Sequence, residues 1–316
     1  MIKKIFIFLI LFFSFFVVSQ AALATTIFSP LIEMEAEPGE SLNGVVKVFN
    51  ETDDTLILSS SVEPFTANGE KGQPVYLPIE QKDKYLDWFE ISQDDLLLKS
   101  KQVAIVPFSL EVPQSAVPGG YYAVIFWKDI TKEINNPQAV SISSKVGTLI
   151  FLKVKGDLAE IGETEFFIKE NKNLFFQLPI NFVFRFENLG NIHLKPTGQI
   201  EITNWFGQTE IIKVNPTNRN VLPETARQFD FIWGPTSNDN FLNKVKFQAG
   251  NLIGGKYKAV LKINYGVQNQ QEVIKEINFW VVPIHLLSFI FLSIIILVIF
   301  IKINSKIKKL KKTNVS

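Results

Sequence analysis

Cysteine is absent from the 316 residues, histidine and methionine occur twice each, and no Asp or Glu occurs in residues 1–24 or 281–316. Without cysteine there is no disulfide, so a body of this size must be held by its core. That absence fits an exported bacterial protein better than a typical animal surface receptor. His193 has no second His or Cys near it in the sequence, which argues against a zinc site. Gly-x-Ser-x-Gly, a Gly-rich phosphate loop and a Ser/His/Asp constellation are also missing. The residues imply no enzyme and no cofactor.

The two acid-free ends are greasy and basic. Lys3 and Lys4 precede a run from Ile5 to Val18 broken only by Ser14, and Ala22-Leu23-Ala24 supplies small residues for a cleavage site before Thr25. Residues 1–24 therefore read as a signal peptide. From Val281 to Ile301 only Pro283, His285, Ser288 and Ser293 depart from Leu, Ile, Phe or Val. As a helix that run spans about 31 Å, the thickness of a bilayer's hydrocarbon. Its apolar side chains supply on the order of −5 to −10 kcal/mol toward insertion. Trp280 stands where an interfacial aromatic belongs, and Lys302, Lys306, Lys308, Lys309, Lys311 and Lys312 follow. Those lysines mark residues 302–316 as a cytoplasmic tail, with residues 25–280 outside a cell membrane crossed once.

The net charge of +1 hides an asymmetry. With the lysines of the two ends set aside, residues 25–280 hold 24 basic and 31 acidic residues, a net of −7. An acidic body of this kind argues against nucleic acid as a partner.

Between the ends, apolar residues alternate. Ile180, Phe182, Phe184 and Phe186 share one strand face, as do Tyr257, Ala259, Leu261, Ile263 and Tyr265, and Val106, Phe108, Leu110 and Val112. Pro38-Gly39, Asn68-Gly69, Phe206-Gly207 and similar pairs punctuate the strands. Helix within 25–280 is expected for a turn or two at most, near Lys82 to Phe89. The fold expected is all-β, with two tandem Ig-like β-sandwiches at 25–155 and 156–280. A weak repeat supports duplication. One strand in each half ends in Asn (Asn50, Asn188), and a Gly-Gly turn (Gly119-Gly120, Gly254-Gly255) later opens another. Their order matches strands B and F of an Ig-like sandwich.

These features resemble the WxL-interacting family of bacterial surface proteins. The likeness is closest in the first half: Pro30 ahead of the first strand, Glu37-Pro38-Gly39-Glu40-Ser41, Phe108-Ser109-Leu110-Glu111-Val112-Pro113, and Ala116-Val117-Pro118-Gly119-Gly120-Tyr121-Tyr122. The resemblance implies a signal peptide, an Ig-like domain of peptidoglycan-binding type, a second Ig-like domain, and a membrane helix with a basic tail.

Candidate binding residues are aromatic. Tyr121 and Tyr122 are neighbours, so on a strand one ring faces the core and the other faces out. Trp88 and Trp127 join them, and Trp205-Phe206 repeats the pattern. An outward ring can stack on a sugar, and the same rings can instead serve cross-strand packing. Asp53-Asp54 and Asp94-Asp95 read as solvated turns, because adjacent strand residues point to opposite faces. Asn50-Glu51-Thr52 matches a glycosylation sequon and reads as a turn.

Two functions remain open: a membrane-anchored binding or adhesion protein contacting cell-wall glycan or surface proteins, and an assembly or chaperone-like module that holds exported proteins by β-augmentation.

Overall fold

The computed structural model describes residues 25–135, 145–235, 240–250, 253–267 and 270–313. The expected signal peptide lies outside them. The chain divides into two compact units, Met1–Phe65 with Tyr76–Gly156, and Thr66–Val75 with Asp157–Ser316.

The strands up to Gly156 are β1 (Thr25–Ile27), β2 (Leu31–Ala36), β3 (Ser41–Asn50), β4 (Leu56–Asn68), β5 (Gln73–Tyr76), β6 (Phe89–Ile91), β7 (Asp95–Leu98), β8 (Val103–Glu111), β9 (Gly119–Asp129) and β10 (Lys145–Val154), all in the first unit except the end of β4 from Thr66 and β5 up to Val75. Pro30 falls between β1 and β2 rather than ahead of the first strand. One sheet runs β1-β3-β8-β6, and the other runs β2-β10-β9-β4-β5 with β7 also on β4. Val46, Val48, Val106 and Phe108 meet Leu58, Leu98, Ile125 and Ile150 between them. A 3₁₀ segment, Gln81–Trp88, occupies the stretch where a short helical turn was expected.

The second unit contains β11 (Gly162–Ile168), β12 (Leu174–Phe175), β13 (Ile180–Asn188), β14 (Thr197–Asn204), β15 (Thr209–Val214), β16 (Thr225–Trp233), β17 (Gly255–Tyr265) and β18 (Gln271–Val281). Its sheets run β11-β13-β16 and β12-β18-β17-β14-β15. Phe182, Phe184 and Phe186, the alternating row seen in the sequence, are buried with Ile200, Leu261 and Phe279.

Both units follow one Ig-like plan. The first strand pairs antiparallel with the next long strand (β1 with β3, β11 with β13), and the chain then switches sheets to pair parallel with the last strand (β2 with β10, β12 with β18). Asn50 and Asn188 close equivalent strands. Gly119 begins β9 and Gly254 immediately precedes β17, both at φ 154°, a conformation that side chains with a Cβ rarely adopt.

Among the described residues there are three α-helices: α1 (Thr131–Asn135) and α2 (Phe241–Gly250) between strands, and α3 (Ile284–Thr313) after the last strand. At ten residues, α2 exceeds the turn or two expected. Its buried positions are Val245 and Gln248, and the polar Gln248 masks the apolar stripe. Residues Ile284–Lys306 of α3 include an 18-residue stretch with a mean hydropathy of 3.0, long and apolar enough to cross a membrane. Val281 belongs to β18 instead of this helix, because Pro283 separates strand from helix.

Candidate functional site

The four candidate aromatics do not form one site. Along β9, Tyr121, Ala123, Ile125 and Trp127 turn to one side, and Tyr122, Val124 and Phe126 to the other. Trp127 is 1% exposed and packs with Ile125 and Ile150, so its ring is core and cannot stack on a ligand. This corrects its assignment as a binding residue. Tyr121 and Trp88 do meet, ring centres 4.8 Å apart, with Tyr85 at 5.3 Å from Tyr121. They cover the Leu110–Leu152 end of the core, and the Tyr121 hydroxyl donates to Val117 O at 2.8 Å. Tyr122 lies on the opposite face, 5.2 Å from Phe151 and 6.2 Å from Phe65. All three half-buried rings are engaged in packing.

A different surface of the same unit is open. The β3 and β8 strands pair in a constant register, with Asn50 N–H reaching Gln102 O at 3.0 Å. By antiparallel alternation Val48, Val46, Gly44 and Leu42 turn their backbone groups toward β8, and Phe49, Lys47, Val45, Asn43 and Ser41 turn theirs outward. The edge strand β1 meets only Val48–Asn50, and Phe28 N–H reaches Lys47 O at 3.3 Å before the chain crosses to the other sheet at Pro30. Among the described residues none pairs with the outward backbone of Ser41, Asn43 or Val45.

The far edge repeats this. β6 covers Phe108–Leu110, Ser92 N–H reaches Pro107 O at 3.2 Å, and the chain then leaves for β7 in the opposite sheet. No described residue pairs with the outward backbone of Ile105 or Val103.

The outer face between these two edges is mainly apolar from Val45 to Phe49, with Lys47 its charged member, and polar toward Ser41. Register places Phe49 beside Val103, Lys47 beside Ile105 and Val45 beside Pro107. Ile105 is 61% exposed and Phe28, whose ring lies 6.3 Å from Phe49, is 57% exposed. On the equivalent sheet of the second unit, β11-β13-β16, Arg185 pairs with Glu187 at 2.8 Å and with Glu165 at 3.2 Å. Contiguous exposed apolar surface of this kind marks interaction sites. The sequence signal was available: residues 103–108 are apolar in both alternating rows, so one row had to face out.

Elsewhere the polar groups are structural. Asn50 is fully buried, its Nδ2 donating to Asp54 O at 2.8 Å, Lys99 O at 3.0 Å and Leu98 O at 3.1 Å. The sequon amide is thus part of the core and closed to glycosylation. Asp53 lies in an exposed turn 3.1 Å from Lys101, and Asp94 and Asp95 are exposed. A cavity of about 330 Å³ in the second unit is lined by Trp233, Tyr257 and Glu210, but the Glu210 carboxylate accepts the Trp233 indole N–H at 2.8 Å. Of the expected membrane-anchor residues, Trp280 is exposed at the end of β18, and Lys302 and Lys306 are exposed on α3. Lys308 and Lys309 lie further along the same helix.

No family model and no curated protein matches the chain. Solved structures with a similar fold include the class 5 fimbriae chaperone CfaA, at 13% identity and TM-score 0.40, covering 80% of this chain and 98% of that one. The chaperone YadV follows at 9% identity and TM-score 0.34, covering 81% and 100%. The PapD-like domain 7 of human CEP192 has 16% identity and TM-score 0.30, covering 42% and 87%. Likeness at this level carries no argument about activity.

Proposed function

We propose that the chain is a membrane-anchored, non-catalytic binding protein whose first unit holds another exported polypeptide as an added strand. The observation that carries this reading is the outward edge of β3, where the N–H and C=O groups of Ser41, Asn43 and Val45 have no partner among the described residues and the adjoining face is mainly apolar from Val45 to Phe49. Strand addition draws affinity from main-chain hydrogen bonds and specificity from alternate side chains, and both are present here. The resemblance to WxL-interacting surface proteins supports the anchored two-domain plan. In this reading α3 spans the membrane, residues 25–280 lie outside the cell, and the lysines after α3's apolar stretch stay in the cytoplasm. Contact with peptidoglycan is the competing reading.

The test places a photo-crosslinking residue at Val45 in whole cells, with Asn43→Pro as the comparison. Proline at an outward-facing edge position removes one donor and leaves the β3–β8 ladder intact. A discrete polypeptide adduct that falls roughly tenfold with Asn43→Pro, the loss of about 1.4 kcal/mol, supports strand addition. Absence of any polypeptide adduct, together with co-sedimentation on purified peptidoglycan, overturns it in favour of glycan.

A further inference from the structure

We infer that the end of the second unit from which α3 emerges is a lipid-contacting belt: the turn after β14 and the first turn of α2 dip into the interface of the bilayer. The inference rests on the reading of α3 as a membrane span and adds a second attachment to it.

β14 finishes at Asn204, opposite Tyr257, and Gly255 pairs with Val281. Trp205 therefore lies one strand away from the exit of α3. Its ring is so close to the β17 backbone that a Cβ at Gly255 would stand 2.8 Å from Trp205 Cδ1, and a Cβ at Gly254 would touch Pro283 at 3.3 Å. Leu174 pairs with Trp280 on the last strand before the helix.

Depth follows from α2. Its buried Gln248 accepts the N–H of Leu286 at 2.9 Å, satisfying one of the orphan donors in the first turn of α3. Its Phe241 ring lies 5.8 Å from His285. His285 and Leu286 open the apolar span, so α2 is level with the start of the hydrocarbon.

Exposure completes the case. Trp205 and Leu242 are each 64% exposed, and Phe206, Phe241, Trp280 and Leu174 are exposed with them. Six large apolar side chains around one helix exit have no covering element among the described residues, and a bilayer is the medium into which that helix continues. Trp is the residue type that favours the headgroup level, since its ring is apolar and its N–H is polar. Lys246 and Lys256 stand exposed at the same end, which suits anionic headgroups.

Because the chain has no cysteine, single labels are available without background. Full-length Phe206→Cys, Leu242→Cys, Ile161→Cys and Phe291→Cys would each carry a nitroxide in vesicles of phosphatidylethanolamine and phosphatidylglycerol. Ile161 precedes β11 at the opposite end of the sheets, and Phe291 lies within α3. Collision with a water-soluble nickel chelate is then compared with collision with oxygen. Insertion of 5–10 Å at positions 206 and 242 predicts roughly threefold less nickel collision than at 161. Equal nickel access at 206, 242 and 161, with position 291 protected, overturns the belt and leaves the anchor standing. Nickel access at 291 overturns the anchor, and the belt with it.

Discussion

Two asparagines explain at the residue scale why the repeat is visible in the sequence. Asn188, like Asn50, is fully buried; its Nδ2 donates to Ile192 O at 2.7 Å and Val221 O at 2.8 Å, and its Oδ1 accepts from Gly190 N at 2.9 Å. Asn50 does the same for Asp54, Leu98 and Lys99, with Thr52 N donating to its Oδ1 at 2.9 Å. Each amide ties the turn after one strand to the loop entering another. Asn188→Ala strands the Ile192 carbonyl and the Gly190 N–H, while Val221 O keeps the N–H of Leu194, so it should cost about 2–3 kcal/mol. A lower urea midpoint at unchanged slope checks this, and an unmoved midpoint would show the amide is not a clamp. Tyr85 gives a pH signature. Burial, and then the Asp83 carboxylate, push its phenol well above the ordinary value, and its hydroxyl donates to Tyr122 O at 2.9 Å. The folded state holds this proton more tightly than the unfolded state does. Its stabilising contribution is therefore whole below about pH 10 and is lost as pH rises beyond that. The stability advantage over Tyr85→Phe should shrink between pH 10 and 12 in urea titrations; a constant difference would reject the assignment.

Short edge strands create the open surface at the element scale. β1 and β6 each contribute three residues and then change sheets, leaving one end of β3 and one end of β8 without neighbours. The consequence is directional. Asn43→Pro removes an outward donor and should cost under about 1 kcal/mol, whereas Val46→Pro breaks a bond to β8 and should cost on the order of 3 kcal/mol. Equal losses in thermal unfolding would mean the β3 edge is not free. The rows of β13 and β17 were legible because alternation is a local property of extended backbone. The α2 helix was not, since only contact with the start of α3 explains a glutamine at its buried position.

Across the whole molecule, one sandwich plan occurs twice, with exposed apolar residues on the β3–β8 sheet of the first unit and Arg185 paired with Glu165 and Glu187 on the equivalent sheet of the second. Protease added to intact spheroplasts should digest residues 25–280 and spare a stub containing α3 and its lysines. Protection of the whole body would end the proposed orientation.

By itself the amino-acid sequence determined the β character, the inward rows of the core strands and the apolar C-terminal helix, because each depends on periodicity or run length within one segment. Tertiary structure alone decided that Trp127 is enclosed, that Tyr121 and Tyr122 are both packed against other rings, and that among the described residues the outward backbone of Ser41, Asn43 and Val45 has no partner. Exposure and edge pairing depend on which distant strand lies alongside, and no local pattern carries that information.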